Sequence, residues 1–165
     1  MARWVDITLD DPRWATFGLK PIAKRAVKAV AADLGLGKLR ISLLGCDDAR
    51  ISVLNAQFRG KPMPTNVLSW PATDLSPATD GDAPRLPAAK SMAGDLAIAW
   101  ETCEKEAADQ QKTLRDHVCH LIVHATLHLI GYDHQRKQDA ARMEALEKRV
   151  LATLGVSDPY RDSAA

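Results

Sequence analysis

The hydrophobic pattern of this chain changes from strand–helix alternation to an uninterrupted helical block, and this order limits the folds it can adopt. Four short segments have the composition of strands: VDITL, LRISLLG, TNVLSW and GDLAIAW. Amphipathic helical segments separate the first three, one opening near Pro21 and one after Asp47 and Asp48, which offer an N-cap. Three further helical segments follow, at about 100–109, 114–130 and 135–154. This order predicts an α+β fold, with a small mixed sheet of about four strands packed against about five helices.

Length and composition favour one globular domain over residues 1–165. The stretch 71–90 is rich in Pro, Asp, Ala and Thr, and is predicted to be a mobile loop between two strands rather than a domain boundary. Three cysteines without a CxxC pair, no apolar run of the ~20 residues that span a membrane, and no signal-peptide pattern predict a cytoplasmic protein without membrane contact. The net charge of +1 excludes a global basic field, so nucleic acid would have to bind through a local patch.

Three of the five histidines lie in the segment HATLHLIGYDH. His124 and His128 are four residues apart on a predicted helix, so their rings are neighbours and can both reach a zinc ion at ~2.0–2.1 Å. Gly131 can adopt the positive φ that ends a helix and reverses the chain, which would present His134 from a new direction. Three neutral imidazoles with an open fourth position are typical of a catalytic zinc site. The spacing therefore predicts one zinc ion per chain, held on a central helix and the turn that follows it.

Residues around this trio leave alternatives open. His120 and His124 are also four residues apart and form a competing pair of metal ligands. His117 shares the same helix face, and both it and His120 can support the site from outside the ligand shell or lie at the surface. Asp133 can orient a ligand histidine or serve only as a turn residue. The segment resembles the HExxH helix of zinc peptidases, but Ala125 stands where those enzymes have a glutamate base, so peptide hydrolysis would need another base.

Four segments carry a resemblance to one protein family. They lie within roughly 41–160 and read LNAQFRGKPMPTNVLSWP, GDLAIAW, HATLHLIGYDH and MEALEKRVLATLGVSDPY. They are similar, in that order, to an arginine-containing segment with a TNVLSFP strand, a Gly-Asp strand, an H-x3-H-x5-H zinc motif and a closing helix with an Asp-Pro-Tyr tail. These four patterns are features of the YbeY family of bacterial ribosomal-RNA maturation endoribonucleases, which the chain therefore resembles. The chain departs from the family pattern at Trp70, where phenylalanine is usual, and at Ala125, where glycine is usual.

The resemblance implies a zinc-dependent, single-strand-specific endoribonuclease that matures the 3′ end of small-subunit rRNA and acts in ribosome quality control. The partners that the resemblance implies are single-stranded or ribosomal RNA, and the small ribosomal subunit with its proteins. Carried over residue by residue, it implies His124, His128 and His134 as zinc ligands and Arg59 as a basic residue important for activity. The guanidinium of Arg59 suits a phosphate, although the same charge can also complement the end of a helix.

The residues that assist the chemistry are less well defined by the sequence. Asp95, at the start of a strand, is a candidate general base or only a turn or cap residue, and Ser69 is a weaker candidate. Lys61, close to Arg59 in sequence, can add positive charge for substrate binding. Because aromatic residues make up only 5% of the chain, an extensive base-stacking platform is not expected. The alternative functions are a metal-dependent hydrolase of another substrate, such as a peptide, and a non-catalytic ribosome-assembly factor whose zinc stabilises the fold.

Overall fold

The computed structural model describes residues 4–87 and 92–160, and the strands in this part of the chain form one four-stranded sheet. The strands are β1 Val5–Leu9, β2 Arg40–Cys46, β3 Val67–Pro71 and β4 Met92–Ala99. Their order across the sheet is β1-β2-β4-β3. The strands β1, β2 and β4 run parallel, and β3 is antiparallel to β4. The predicted small mixed sheet is therefore confirmed, and β3 forms one of its edges.

Six helices accompany the sheet in the described part of the chain. They are α1 Arg13–Phe17, α2 Leu19–Asp33, α3 Asp48–Arg59, α4 Trp100–Asp109, α5 Leu114–Leu129 and α6 Lys137–Thr153. As predicted, Asp47 caps α3, where its side chain accepts the backbone N–H of Arg50. The sequence patterns do not predict α1, because a helix of five residues is too short to show a hydrophobic period. Within residues 4–87 and 92–160, no helix combines the length and hydrophobicity that crossing a membrane requires.

The helix α5 lies at the centre of the fold. It contacts α2, α4 and α6 on its outer sides and the strands β3 and β4 on its inner side. Its apolar side chains are almost all buried, and one strip of polar side chains along it remains partly exposed. This strip contains His120, His124 and His128. The packing of α5 therefore directs three histidines toward the edge of the sheet that β3 forms.

Alternate residues of β4 contact different layers of the protein. Leu96 and Ile98 belong to the main hydrophobic core, which also contains the buried face of α5. Ala97 and Ala99 point to the other side of the sheet and pack with Ile51 of α3. The sheet therefore lies between α3 and α5.

The connection between β3 and β4 covers most of the predicted loop 71–90, of which residues 88–90 lie outside the described residues. Its described part is bonded to the start of α6. The backbone N–H of Gly81 donates to the carboxylate of Asp139 at 2.8 Å, and Asp80 accepts the backbone N–H of Asp139 at 2.8 Å. The guanidinium of Arg136 donates to the carbonyl of Pro77. These bonds attach the connection close to the turn that follows α5, while the mobility of the loop remains a prediction.

Candidate metal centre

Three histidine side chains meet where α5 ends. Ring nitrogens of His124, His128 and His134 all lie within 4.8 Å of one another. The Nε2 atoms of His124 and His128 are 3.1 Å apart. The ring centroid of His134 is 5.4 Å from that of His124 and 5.1 Å from that of His128. The structure thus brings together the three residues that the sequence spacing groups.

The turn after α5 presents His134 to the two helical histidines. Gly131 has a left-handed φ of 102°, as the sequence predicts. A Cβ atom added at Gly131 would lie 2.7 Å from the carbonyl carbon and oxygen of Leu75, so both the backbone conformation and the packing require glycine. The carboxylate of Asp133 accepts the backbone N–H of His134 at 2.7 Å. Asp133 therefore bonds to the backbone of the turn beside His134, and the choice between its two predicted roles stays open.

A buried carboxylate of α6 lies behind the histidines. Glu147 has no exposed side-chain surface, and it accepts hydrogen bonds from Nδ1 of His124 at 2.5 Å, Nε2 of His120 at 3.2 Å and the hydroxyl of Tyr160 at 2.6 Å. Burial favours a higher pKa for Glu147, but the hydrogen bonds from His120, His124 and Tyr160 outweigh it and lower the pKa to about 2. The carboxylate is therefore ionised at neutral pH and can only accept. It follows that Nδ1 of His124 carries a proton.

Sequence reasoning missed Glu147, although a signal was present. Met143, Glu147, Val150 and Leu154 follow one another at spacings of four, three and four residues, which places them on one face of α6. A carboxylate within an apolar face is buried when the helix packs, and a buried carboxylate needs hydrogen-bond partners. The pattern therefore indicates a buried acid, but it does not tell which residues surround it.

The arrangement of these rings fits a metal ion. Nδ1 of His124 donates to Glu147, so Nε2 is the nitrogen that faces His128. Burial, together with the neighbouring His124 and His134, lowers the pKa of His128 to about 4, so the ring of His128 is neutral near pH 7. Neutral imidazoles are ligands for zinc and other divalent transition metals, and a ligand histidine commonly donates its second N–H to a carboxylate. His124 and Glu147 have this relationship.

A second group of potential ligands overlaps the first. Ligand atoms of His120, His124 and Glu147 also lie within 4.8 Å of one another, which corresponds to the competing histidine pair. Two ligands at ~2.1 Å from a tetrahedral zinc ion are ~3.4 Å apart. The 3.1 Å between His124 and His128 is close to this value, whereas the 2.5 Å between His124 and Glu147 leaves no room for an ion. The geometry therefore favours His124, His128 and His134.

The histidines open into a cleft of about 640 Å³, a size within the range of ligand pockets. Arg59, in the last turn of α3, lines the same cleft, as does Ser69 of the edge strand. Asp133 is the only carboxylate among the described residues that line it. The cleft thus combines a histidine cluster with a permanently charged guanidinium, although Arg59 also complements the C-terminal end of α3.

Three other predicted residues do not line the cleft. Lys61 lies after the glycine that ends α3, outside the cleft. Asp95 is exposed on β4 and points away from α5, because side chains alternate along a strand and its neighbour Leu96 packs in the core with α5. The structure therefore does not bring Asp95 to the histidines, and it gives no support to Asp95 as the general base. His117 is buried, and its Nε2 is 2.9 Å from the carboxylate of Glu106.

The fold and the cleft together define a small α+β protein whose central helix and following turn present three histidines to an open cleft that also contains an arginine. The chain matches the profile of the family described as Endoribonuclease YbeY over residues 7–155. It belongs to the YbeY family of endoribonucleases, as the sequence motifs predict.

Similar proteins extend the match over most of the chain. A protein of Ruegeria pomeroyi named Endoribonuclease YbeY is 54% identical, over 94% of this chain and 97% of its own length. A protein of the same name from Dinoroseobacter shibae is also 54% identical, over 94% and 90%. The solution structure of TM1509 from Thermotoga maritima covers 95% of this chain and 99% of its own, with a TM-score of 0.56 and 20% identity. At that identity the structural similarity supports the fold alone.

Proposed function

We propose that this protein is a zinc-dependent endoribonuclease that cleaves single-stranded RNA, with one ion held by His124, His128 and His134. The observation that carries the proposal is the group of three imidazoles at an open cleft, one of which donates to a buried carboxylate. Three protein ligands leave a fourth position for water or substrate, which is typical of catalytic rather than structural zinc sites. Membership of an endoribonuclease family supports RNA as the substrate.

We assign a role to each residue of the site. Glu147 keeps the proton on Nδ1 of His124, so that Nε2 is available as a ligand and the ring is held in one orientation. A zinc ion bound here would supply a water of lowered pKa and polarise a phosphoryl oxygen. Arg59 binds the non-bridging oxygens of the phosphate and favours the more highly charged transition state. Gly131 and Asp133 hold the turn that carries His134.

The nucleophile is either water or the 2′-hydroxyl of the RNA itself. Attack by the 2′-hydroxyl leaves a 2′,3′-cyclic phosphate, whereas direct hydrolysis leaves no cyclic end. Asp133, the carboxylate among the described cleft residues, already accepts a backbone N–H. The chemical analysis of the product ends is therefore the measurement that assigns the nucleophile.

We further propose that the natural substrate is ribosomal RNA, and that the whole chain acts in the cytoplasm as a single domain. The proposed reaction is maturation of the 3′ end of small-subunit rRNA, with a role in ribosome quality control and contacts to the small ribosomal subunit and its proteins. The support for this setting is the family to which the chain belongs.

Two variants test the proposal by separating metal binding from catalysis. We expect His128→Ala to lose both bound zinc and cleavage of single-stranded RNA. We expect Arg59→Ala to retain zinc and its melting temperature but to lose about 10²-fold or more in kcat/KM, the scale of losing one donor to transition-state charge. Arg50→Ala, at an exposed position of the same helix outside the cleft, is the matched control and is expected to behave as wild type. Unchanged cleavage by His128→Ala would refute the proposal and indicate a contaminating nuclease.

The same preparation tests the alternative functions. A peptidase would cleave an unstructured polypeptide, but Ala125 is buried beside the histidines where a zinc peptidase has its glutamate. An assembly factor with a structural metal would lose thermal stability when zinc is removed and would cleave neither polymer. We expect metal-dependent cleavage of single-stranded RNA, little cleavage of duplex RNA and none of the polypeptide.

A further inference from the structure

The wall of the cleft that contains Arg59 also carries an exposed aromatic ring. Phe58 is 62% exposed and lines the cleft. Trp70 of β3 lines it as well, and the centroids of the two rings are 4.9 Å apart with an interplanar angle of 63°. Single exposed apolar residues are common on protein surfaces. Here, however, two rings are in contact at the cleft and the residue next to Phe58 in sequence carries a permanent positive charge.

Both rings are held on rigid parts of the fold. Trp70 packs with Leu44 and Leu54 against the small core cluster between the sheet and α3. Phe58 lies in the last turn of α3, which ends where Gly60 adopts a φ of 68°. Because Trp70 contacts Phe58 from the anchored strand, the exposed ring has a defined support and needs little ordering when a ligand binds.

The chemistry of this wall suits a flat group attached to an anion. An unpaired nucleobase has two flat faces that stack on aromatic rings, and its phosphate pairs with an arginine. The charges agree with such a ligand, because Asp133 is the only acidic residue among the described residues of the cleft. The base and the phosphate of one nucleotide can therefore be bound by the neighbouring residues Phe58 and Arg59.

We propose that Phe58, supported by Trp70, is the stacking site for one unpaired base of the RNA, beside a phosphate bound by Arg59. This inference rests on the proposed function, since it takes RNA as the substrate. A site for one base also agrees with the low aromatic content, which argues only against an extensive platform. A base within a duplex is covered on both faces by its neighbours and cannot stack on Phe58. The site therefore selects unpaired RNA without reading its sequence.

Substitutions at Phe58 test the stacking site by a binding assay. The probe is a short fluorescein-labelled oligouridine with 2′-O-methyl groups, and its fluorescence anisotropy gives Kd with the zinc-loaded protein. We expect Phe58→Ala to raise Kd about 10-fold, which is the order of one base–aromatic stack. Phe58→Leu keeps apolar bulk but has no ring, and we expect the same loss, whereas Phe58→Tyr retains wild-type affinity. Val53→Ala removes an exposed apolar side chain of the same helix outside the cleft and is the control.

Abasic probes give a second measurement, which a change in folding alone would not reproduce. In a set of probes that each lack one base, we expect wild type to lose affinity at one internal position. Phe58→Ala is expected to be insensitive at that position, because the ring and the base make one interaction. Equal Kd values for wild type and Phe58→Ala, or the same abasic profile for both, would overturn the stacking site.

The two proposals can fail separately. Binding that depends on Phe58 and on one base, without any RNA cleavage, would refute the nuclease and leave the stacking site. Metal-dependent cleavage whose KM is unchanged in Phe58→Ala would refute the stacking site and leave the nuclease.

Discussion

Replacing Glu147 by glutamine tests whether the buried carboxylate orients His124 for metal binding. Glutamine keeps the length of the side chain and one acceptor oxygen, but it removes the charge that His120, His124 and Tyr160 share. Losing the carboxylate behind a ligand histidine typically weakens metal binding ~10–100-fold, which corresponds to about 1.4–2.7 kcal/mol. In the metal-free protein, the substitution weakens the hydrogen bonds at this position but also removes the cost of burying a charge. These two effects change the free energy of unfolding in opposite directions, and each is about 1.5 kcal/mol or more. The affinity for metal is therefore the sharper measurement.

We expect competition against a zinc-binding dye to show at least about 10-fold weaker zinc binding by Glu147→Gln than by wild type. Glu104→Gln, the same change at an exposed position of α4, is expected to bind zinc normally. Tyr160→Phe removes one donor but leaves the charge, so its loss should be smaller. Circular dichroism establishes that each variant is folded. If Glu147→Gln binds zinc as tightly as wild type while His128→Ala does not bind it, Glu147 has no orienting role and the reasoning is refuted.

Two further predictions concern the turn and a buried histidine. Gly131→Ala adds both left-handed strain and a Cβ atom 2.7 Å from the carbonyl of Leu75, so urea unfolding should show a loss above ~1–3 kcal/mol together with reduced zinc content. Gly155→Ala, where φ is 74° but the added atom meets open space, should cost less, and equal losses would contradict the packing argument. Burial lowers the pKa of His117, and this effect is larger than the increase caused by contact with Glu106. As the pH falls, His117 is therefore protonated in the unfolded chain before it is protonated in the folded protein. The free energy of unfolding should therefore decrease as the pH falls below about 6.5, and His117→Gln should make this decrease shallower. Identical slopes in urea titrations across that range would contradict the assignment.

The elements that the sequence predicts well are those with a long and clear period. The helix predicted at 114–130 is observed at Leu114–Leu129, and the strand predicted from VDITL is β1 without change. The missing helix α1 has five residues, too few for a period to be visible. For a different reason, the sequence does not decide whether Asp95 reaches the histidines, because strand alternation defines two faces but does not tell which one packs against α5.

The sequence alone determines how the three histidines lie relative to one another, namely His124, His128 and His134. One helix, one glycine and a short turn connect them, and the backbone geometry of these elements fixes their relative positions. Their surroundings do not follow from any local pattern. Glu147 comes 23 residues after His124 and reaches it only because α6 packs on α5. Phe58 and Arg59 reach the cleft only because α3 lies across the sheet and ends beside the edge strand. Contacts of this kind depend on how whole elements pack, and that packing is decided by the complete core rather than by the residues that meet.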